Sequence, residues 1–254
     1  MIWEKLDADA QLFAYATGCT RQRFDRLVRE VEAELAAQPL RGRPCTWPLW
    51  QPILISLVYL RSAQPMQWIE LTFGVDDSSV SRTVRRMLKL FERVGFVSPA
   101  PLPGWSPAQI VDTTLIPSGR PHGWEAQKPL YSAKHKRHGY KVQILEGVEG
   151  RWSAVTKPRV AATADATIWA LNPKPVQPCY GDRAYPKAEV IRPAKRHEPG
   201  QDRERDRVIS RLRVKVEHRI KHLKDFKLLR GWRLKRPVGT IWGALCLISA
   251  LWNG

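Results

Sequence analysis

Apolar positions along the first part of the chain recur at helical spacing. From Thr20 they follow every three or four residues until Pro39, which predicts an amphipathic helix with Thr20 as its N-cap. Residues 49–60 are apolar on nearly every side, which predicts a helix buried inside a small bundle. The chain is therefore expected to begin with an all-α domain.

A helix, a turn and a second helix are predicted next. Residues 66–73 predict a short helix, Gly74 a left-handed turn, and Asp76 or Asp77 the N-cap of a helix reaching about Arg93. This layout is typical of a helix-turn-helix, whose second helix enters the DNA major groove. An ordinary helical hairpin would explain the apolar stripe but not the basic outer face. The side chains expected at DNA are Ser78, Ser81, Arg82, Arg85 and Arg86.

Prolines separate this helical region from a region of strands. Residues 97–109 hold four prolines and a glycine, and proline removes backbone donors and resists helix. We therefore predict a helical DNA-binding domain over residues 1–98, a linker over 99–109 and a second domain over 110–254. Short strands are predicted in that second domain at residues 110–116, 140–145, 152–156, 176–180 and 189–194.

Two helices complete the predicted second domain. Residues 203–230 predict a long helix with one apolar stripe, formed by Ile209, Leu212, Val216, Ile220 and Leu223. The apolar run over residues 240–252 is too short to span a membrane and predicts a packed helix. Strands followed by these helices indicate an α/β domain.

Charge narrows the range of partners. The 254 residues carry 42 Lys and Arg against 24 Asp and Glu, a net charge of +18, while the apolar fraction of 43% is that of a folded protein. Such an excess attracts polyanions, so nucleic acid is the leading partner and anionic membrane the second. No secretion signal is visible, and four widely spaced cysteines suit buried thiols in a reducing cytoplasm.

Three acidic residues are candidates for a functional site because of the elements on which they are predicted to lie. Asp112 lies inside a β-branched strand, Asp182 follows the fourth strand, and Glu217 lies on the long helix. Each has a plain structural alternative: an edge or turn aspartate, a capping aspartate, and a salt-bridge ladder on a solvated helix face. Carboxylates from separate elements converge when they share hard divalent cations, because Mg²⁺ prefers oxygen ligands. Two such ions about 4 Å apart can drive phosphodiester cleavage.

Cations accompany these acids. Arg213 and Lys221 lie one helical turn from Glu217 on either side, and Lys224 lies a turn further on. Residues 131–140 predict a basic loop whose imidazoles could in principle bind a metal ion. Since the neighbouring cations would repel a metal ion, we expect contact with phosphate instead, from Lys134, Lys136, Arg137 and His138.

Four sequence blocks together resemble a known family. VDTTLIP, KHKRHGYKVQ, YGDRAY and RVKVEHRIKHLK are similar, in order and approximate spacing, to blocks of bacterial insertion-sequence transposases of the IS5 group in the DDE superfamily. The resemblance covers roughly residues 20–250. It implies an RNase H-like α/β core, a mixed five-stranded sheet flanked by helices, after a helix-turn-helix domain. It also implies that Asp112, Asp182 and Glu217 form a metal-binding catalytic triad, and Glu217 lies 35 positions after Asp182, close to the usual spacing.

Related transposases carry a Tyr-Arg-Glu-Lys signature around the glutamate. Arg213, Glu217 and Lys224 match it by offset, while Ser210 stands at the tyrosine position. The resemblance implies that the Arg and the Lys contact terminal phosphates of the transposon. A second departure is Ala164, which stands where many relatives have a histidine before the aspartate.

The implied activity is transposition of an insertion sequence. The protein would bind the inverted repeats as a homodimer on double-stranded DNA, at the nucleoid in the bacterial cytoplasm. Two Mg²⁺ ions per site, replaceable by Mn²⁺, would support hydrolysis of a phosphodiester, and the freed 3′-OH would be joined to target DNA. One alternative is an inactive or domesticated transposase that only binds DNA, and another is a stand-alone RNase H-like nuclease, which would leave the helix-turn-helix unexplained.

Overall fold

The first part of the chain is α-helical. The computed structural model describes residues 2–37, 47–94, 108–150, 153–194, 202–231 and 238–253. The helices before the sheet are α1 (Ile2–Ala8), α2 (Ala10–Thr17), α3 (Arg21–Ala37), α4 (Trp50–Ser62), α5 (Met66–Phe73) and α6 (Asp77–Val94). The apolar patterns predicted α3 to α6, whereas α1 and α2 were not predicted. Asp9 begins α2 by accepting hydrogen bonds from the amides of Gln11 and Leu12.

A mixed sheet follows the helices. Its strands are β1 (Gln109–Pro117), β2 (Tyr131–Ser132), β3 (Arg137–Gly147), β4 (Ser153–Val155), β5 (Arg159–Val160) and β6 (Cys179–Tyr180). The order is β2-β3-β1-β6, and β4 and β5 also pair with β3. Among the strands of the described residues, β6 runs parallel to its neighbour β1, and the other strand pairs are antiparallel. Within the described ranges, six strands replace the five that were predicted.

Further helices flank the sheet. They are α7 (Trp124–Gln127), α8 (Asp165–Ala170), α9 (Arg203–Asp225), α10 (Lys227–Arg230) and α11 (Val238–Asn253), with a 3-10 turn at Lys128–Leu130. The predicted helix over residues 203–230 is interrupted at Phe226, which is extended and buried. Its ring packs closely against Gly18 in the helical part, since a Cβ on Gly18 would lie only 2.7 Å from the ring. The extended backbone at Phe226 separates α9 from α10.

One predicted strand and one predicted loop differ from the structure. The strand expected over residues 189–194 is wrong, because Ile191 forms only an isolated bridge with Tyr180. The amides of Glu189 and Val190 bond instead to the carbonyl of Pro186, and this turn consumes donors that a strand would need. The predicted basic loop is also partly strand, since β2 and the start of β3 form a hairpin there, with Lys136 at φ +49°.

One apolar core joins the helical part to the sheet. It includes residues of α3 to α6 and the face of the sheet that carries Ile110, Ile116, Val142 and Ile144. The C-terminal helix α11 packs against α3 and α6 as well as β4. Gly243 permits this approach, because a Cβ there would lie 2.7 Å from the Leu88 carbonyl oxygen. A smaller core on the other face contains Val111, Leu145, Trp169, Tyr185 and Val190.

Three of the four cysteines and a small part of the predicted linker lie within the described residues. Cys19, Cys179 and Cys246 are buried free thiols, as predicted, and Cys45 lies outside the described residues. Most of the predicted linker, residues 99–107, is also outside them, so the domain boundaries stay predictions. Among the described residues, no helix combines the length and the apolar character needed to cross a membrane.

A buried ion pair ties α9 to the sheet. Glu146 on β3 is 2% exposed, and it accepts two hydrogen bonds from Arg219, of 2.9 Å from Nε and 2.7 Å from Nη2. The guanidinium also lies over the Trp252 ring, 4.9 Å from its centroid, so one side chain links β3, α9 and α11. Bidentate pairs of this kind depend on both partners, because a buried charge without its partner is costly.

We expect Arg219→Met to lower the free energy of unfolding by about 3 kcal/mol, because it leaves the Glu146 carboxylate buried without this partner. Urea denaturation followed by circular dichroism would measure the change. Arg207→Met, on the exposed face of the same helix, is the matched control and should cost less than about 0.5 kcal/mol. Equal losses in the two variants would contradict the role given to the pair.

Candidate active site

The register between β1 and β6 places two predicted acids side by side. Ile110 pairs with Tyr180 in the parallel ladder; Asp112 follows two residues later within β1, and Asp182 follows two residues later just beyond the end of β6. The region just past the carboxyl end of a strand is where open α/β sheets place ligands. Asp182 lies in a tight turn, since its Oδ1 accepts a hydrogen bond of 2.9 Å from the amide of Ala184.

Asp112 is the more enclosed of the two acids. Its side chain is 16% exposed, its Oδ1 accepts a 2.8 Å hydrogen bond from the Thr113 amide, and its Oδ2 lies 3.3 Å from Arg213 Nη2. Burial raises the pKa of the Asp112 carboxyl above its usual value, and the charge of Asp182 raises it further, while the Thr113 amide and Arg213 act in the opposite direction. The two aspartates are thus close enough to repel each other.

Glu217 is linked to Asp112 through the guanidinium of Arg213. It lies on α9, one turn after Arg213, and its Oε1 is 3.6 Å from Arg213 Nη2, the atom that also faces Asp112. The Glu217 side chain is 54% exposed, whereas that of Arg213 is 22% exposed. The Nε of Arg213 is buried with no hydrogen-bond partner among the described residues. The guanidinium therefore lies between the two carboxylates.

The donor chemistry of these three residues fits a hard divalent cation. Three carboxylates offer only oxygen ligands, and the mutual repulsion of Asp112 and Asp182 is what a bound cation would relieve. Within the described ranges, no three acids, histidines or cysteines already form a group close enough to hold a metal ion. Arg213 supplies the positive charge in this arrangement. The assignment of the three acids as metal ligands stays a prediction.

A polar network on the other face of the sheet lies behind the acids. The hydroxyls of Thr113 and Tyr185 share a 2.8 Å hydrogen bond, and Gln143 donates to the Asp165 carbonyl. Lys141 Nζ forms an ion pair with Asp165, 2.9 Å from its Oδ1. Burial raises the pKa of Tyr185 well above its usual value, as do Asp112, Asp165 and Asp182 nearby. This tyrosine therefore stays a neutral hydrogen-bonding group beside the acids.

The sequence did not identify this network as part of the site. Tyr185 follows Asp182 by three residues in YGDRAY. Because a tight turn brings residues at this spacing together, the sequence could have predicted that Tyr185 lies near Asp182. Lys141 and Asp165 are 24 residues apart, and only the packing of α8 on β3 shows that they pair. Ala164 stands at the N-cap position of α8 with no side-chain hydrogen bond.

Cations surround the open side of the site. A cavity of about 290 Å³ is lined by Leu115 and Pro117 of β1 and by the four cationic or titratable side chains His135, Arg137, Lys224 and Arg230. Burial lowers the pKa of Lys224, and the charge of Arg230 lowers it further. Burial and the surrounding lysines also lower the pKa of His135. Clustered cations without an acid in the lining indicate an anion-binding surface.

The remaining predicted DNA contacts lie on three elements, the β2–β3 hairpin, α9 and α6. On the hairpin, Lys134, Lys136 and Arg137 are exposed, while His138 is half-buried with its ring 5.3 Å from that of Tyr131. On α9, Lys221 is exposed. On α6, the side chains of Ser78, Arg82 and Arg85 are exposed and those of Ser81 and Arg86 are half-buried. Their contact with DNA stays a prediction.

The start of α6 has the predicted local geometry. Gly74 is left-handed at φ +66°, and Asp76 caps the helix by accepting a 2.9 Å hydrogen bond from the Ser79 amide. Hydrogen bonds from Ser78 and Ser79 lower the pKa of Asp76 to about 2. Arg82 donates to the hydroxyls of Ser78 and Ser79, so these polar groups form one cluster at the first turn of α6.

Comparisons with known proteins give a consistent result. A family profile described as DDE superfamily endonuclease matches residues 111–249, which include all three acids. A protein named as a transposase for insertion sequence element IS112 from Streptomyces albus G is 26% identical over 86% of this chain and 86% of its own. One named as a transposase for IS702 from Microchaete diplosiphon is 23% identical over 87% and 86%. No solved structure matches the chain.

Asp112→Asn tests whether Asp112 binds Mg²⁺, because it should abolish stabilisation by Mg²⁺ without lowering the stability of the metal-free protein. Because the raised pKa means that ionised Asp112 is less favourable in the folded than in the unfolded chain, the variant should melt at the same temperature as wild type or higher in metal-free buffer. Mg²⁺ should raise the melting temperature of wild type, since a ligand of the folded state stabilises it, but not that of the variant. Differential scanning fluorimetry measures both effects.

The matched control is Glu204→Gln, an exposed acid in the first turn of α9. It should respond to Mg²⁺ as wild type does. An undiminished response to Mg²⁺ in Asp112→Asn would show that the cation binds elsewhere.

Proposed function

The chain belongs to the DDE superfamily of endonucleases, and from that premise we propose that it is an insertion-sequence transposase of the IS5 group. The main supporting observation is that Asp112 on β1 and Asp182 just after β6 each follow the paired residues Ile110 and Tyr180 by two positions, while Arg213 of α9 contacts both Asp112 and Glu217. The relatives named as transposases support the same function.

The proposed architecture combines a DNA-binding part with a catalytic part. The mixed sheet with α8 and α9 packed against it supports an RNase H-like core over residues 110–254. The sequence of α5, left-handed Gly74 and α6 supports a helix-turn-helix within residues 1–98. Exposed Arg82 and Arg85 would contact DNA there, and the basic hairpin and Lys224 would contact phosphates near the acids.

Asp112, Asp182 and Glu217 would hold the metal, which we propose to be two Mg²⁺ ions. When bound, divalent ions polarise a phosphodiester and lower the pKa of water, which makes a hydroxide available near neutral pH. Lys224 and Arg137 would bind the phosphates on either side of the scissile bond. Arg213 would move from the carboxylates to the negative charge of the substrate. Tyr185 and Thr113 would keep the β1 strand end in place from the opposite face.

The reaction has two in-line steps. The oxygen of water forms a bond to phosphorus as the bond to the 3′-oxygen breaks, which frees a 3′-OH at the transposon end. That hydroxyl then attacks a phosphorus of target DNA and displaces another 3′-oxygen, with no covalent protein intermediate. Positioning and charge neutralisation would supply most of the rate enhancement. Both ends must react together, so we propose a homodimer on DNA, acting at the bacterial nucleoid.

Mn²⁺-dependent nicking of a supercoiled plasmid that carries the element's ends tests this function. Wild type should nick the plasmid, and Glu217→Gln should reduce the rate by at least about 100-fold, because the variant lacks one of the three carboxylates proposed to hold the metal ions. Glu204→Gln, on the same helix, should nick like wild type.

Two outcomes would contradict the proposal. If neither protein nicks while both bind the ends tightly, the chain acts as a DNA-binding repressor without catalysis. If Glu217→Gln nicks as fast as wild type, the activity belongs to another site.

Arg82→Ala and Arg85→Ala test the helix-turn-helix. Each should weaken binding to the element's ends by about 1–3 kcal/mol, because side chains near the start of a recognition helix contact base edges and phosphates. Fluorescence anisotropy over a range of salt concentrations measures the affinity and its salt dependence. Arg29→Ala on α3 is the exposed control. Unchanged end binding in both α6 variants would favour the stand-alone nuclease.

A further inference from the structure

A second, larger cavity opens between the helical part and the end of α9. It encloses about 470 Å³, within the range of sites that hold small organic groups. Its walls come from α1, α2, α4 and α5 on one side and from residues 224–230 on the other. The cavity therefore lies where α5, the first helix of the proposed helix-turn-helix, comes close to the helix that carries Glu217.

Exposed aromatic side chains line this cavity. Tyr15 of α2 is 73% exposed and Trp68 of α5 is 46% exposed, together with Leu12 at 38%. Large aromatic groups are usually covered in a folded chain, because burying their surface is favourable. Two of them open to one cavity indicate a surface that receives a flat apolar group.

The same cavity carries an excess of positive charge. Its lining includes four cations and one acid, namely Arg61, Lys224, Lys227, Arg230 and Asp225. Asp225 is already engaged, since its Oδ2 lies 4.0 Å from Arg61 and 3.6 Å from His222 Nδ1. Among the described residues, no acid pairs with Lys224, Lys227 or Arg230. The charge available to a ligand is thus that of three cations beside two aromatic rings.

This cavity continues toward the candidate active site. Lys224 and Arg230 line it and also line the 290 Å³ cavity that contains His135 and Arg137. Lys224 is near enough to Asp112 for the two charges to interact. A strand of DNA bound to these shared cations would pass from one cavity to the other.

We propose that the aromatic cavity binds one unpaired nucleotide of the DNA substrate, with its base against Trp68 and Tyr15 and its phosphate on Lys224 and Arg230. This rests on the proposed function, because it assumes that DNA is the substrate. A base inside a duplex is covered on both faces by its neighbours, so a concave aromatic site accepts only a base that has left the helix. Stacking on aromatic rings accepts any base, while nearby cations bind the backbone.

The test compares two labelled duplexes of the same sequence, one blunt and one with a short unpaired thymidine tail at a 3′ end. Binding of the full chain is measured by fluorescence anisotropy in EDTA, so that no cleavage occurs. We expect the tail to tighten binding about tenfold, which corresponds to the binding free energy contributed by stacking one base on an aromatic side chain. A 2-aminopurine placed in the tail should lose fluorescence on binding, because stacking quenches it.

Substitutions assign the effect to the cavity. Trp68→Ala and Tyr15→Ala should each remove most of the preference for the tail while leaving affinity for the blunt duplex unchanged, and Trp68→Phe should retain it. Leu71→Ala is the matched control, because Leu71 lies on the same helix, is 85% exposed and does not line the cavity. If Trp68→Ala does not fold, Tyr15→Ala decides the question, since Tyr15 is mostly exposed.

Three results would overturn the proposal. Wild type could show no preference for the tail, the aromatic variants could keep the preference, or they could instead change the oligomeric state, which would make the cavity a contact between copies of this chain. These outcomes differ from failure of the proposed function. A nicking enzyme without tail preference has no nucleotide site here, whereas an inactive protein that prefers the tail has the nucleotide site but not the activity.

Discussion

The arrangement of the site depends on the interactions of Asp112, whose carboxyl group is largely buried in the middle of β1. A buried carboxylate is costly unless a charge or hydrogen bonds compensate it. Here the Thr113 amide and Arg213 partly compensate, and Asp182 beside it adds repulsion. Arg213 reaches β1 from α9, and Glu217, one helical turn later, lies 3.6 Å from the same guanidinium. A carboxylate held at such a cost is a candidate for a functional role.

Packing holds the parts of the site in a fixed relation. Arg219 and Glu146 attach α9 to β3, and α11 joins the helical part to the sheet through a contact that only a glycine permits. Phe226 breaks the long helix and inserts against Gly18, which leaves Lys224 and Arg230 facing two adjoining cavities. The surface proposed to bind DNA is therefore built from segments far apart in the chain.

Periodicity predicted the helices well and the strands less well. The apolar stripes of α3, α6 and α9 and the all-round apolar pattern of α4 predicted which surfaces are buried. Local sequence also predicted the turn at Gly74 and an N-cap at Asp76 or Asp77, and the structure shows Asp76 as the cap. The strand expected over residues 189–194 failed because the hydrogen bonds of a strand belong to its partner, and the turn at Pro186 takes those donors. The α1 and α2 helices carry too short a pattern to be predicted.

The sequence by itself determined the longer helices, most of the strands, the basic character of the chain and the three acids that stand out from their surroundings. Their roles as metal ligands stay a prediction, because residue identity shows what a side chain can bind and not what it approaches. Only the tertiary structure decided that Asp112 and Asp182 lie abreast, that Arg213 lies between Asp112 and Glu217, and that Tyr185 and the Lys141–Asp165 pair lie behind them. The physical reason is that strand register and helix docking are set by contacts between residues distant in sequence, which no local pattern records.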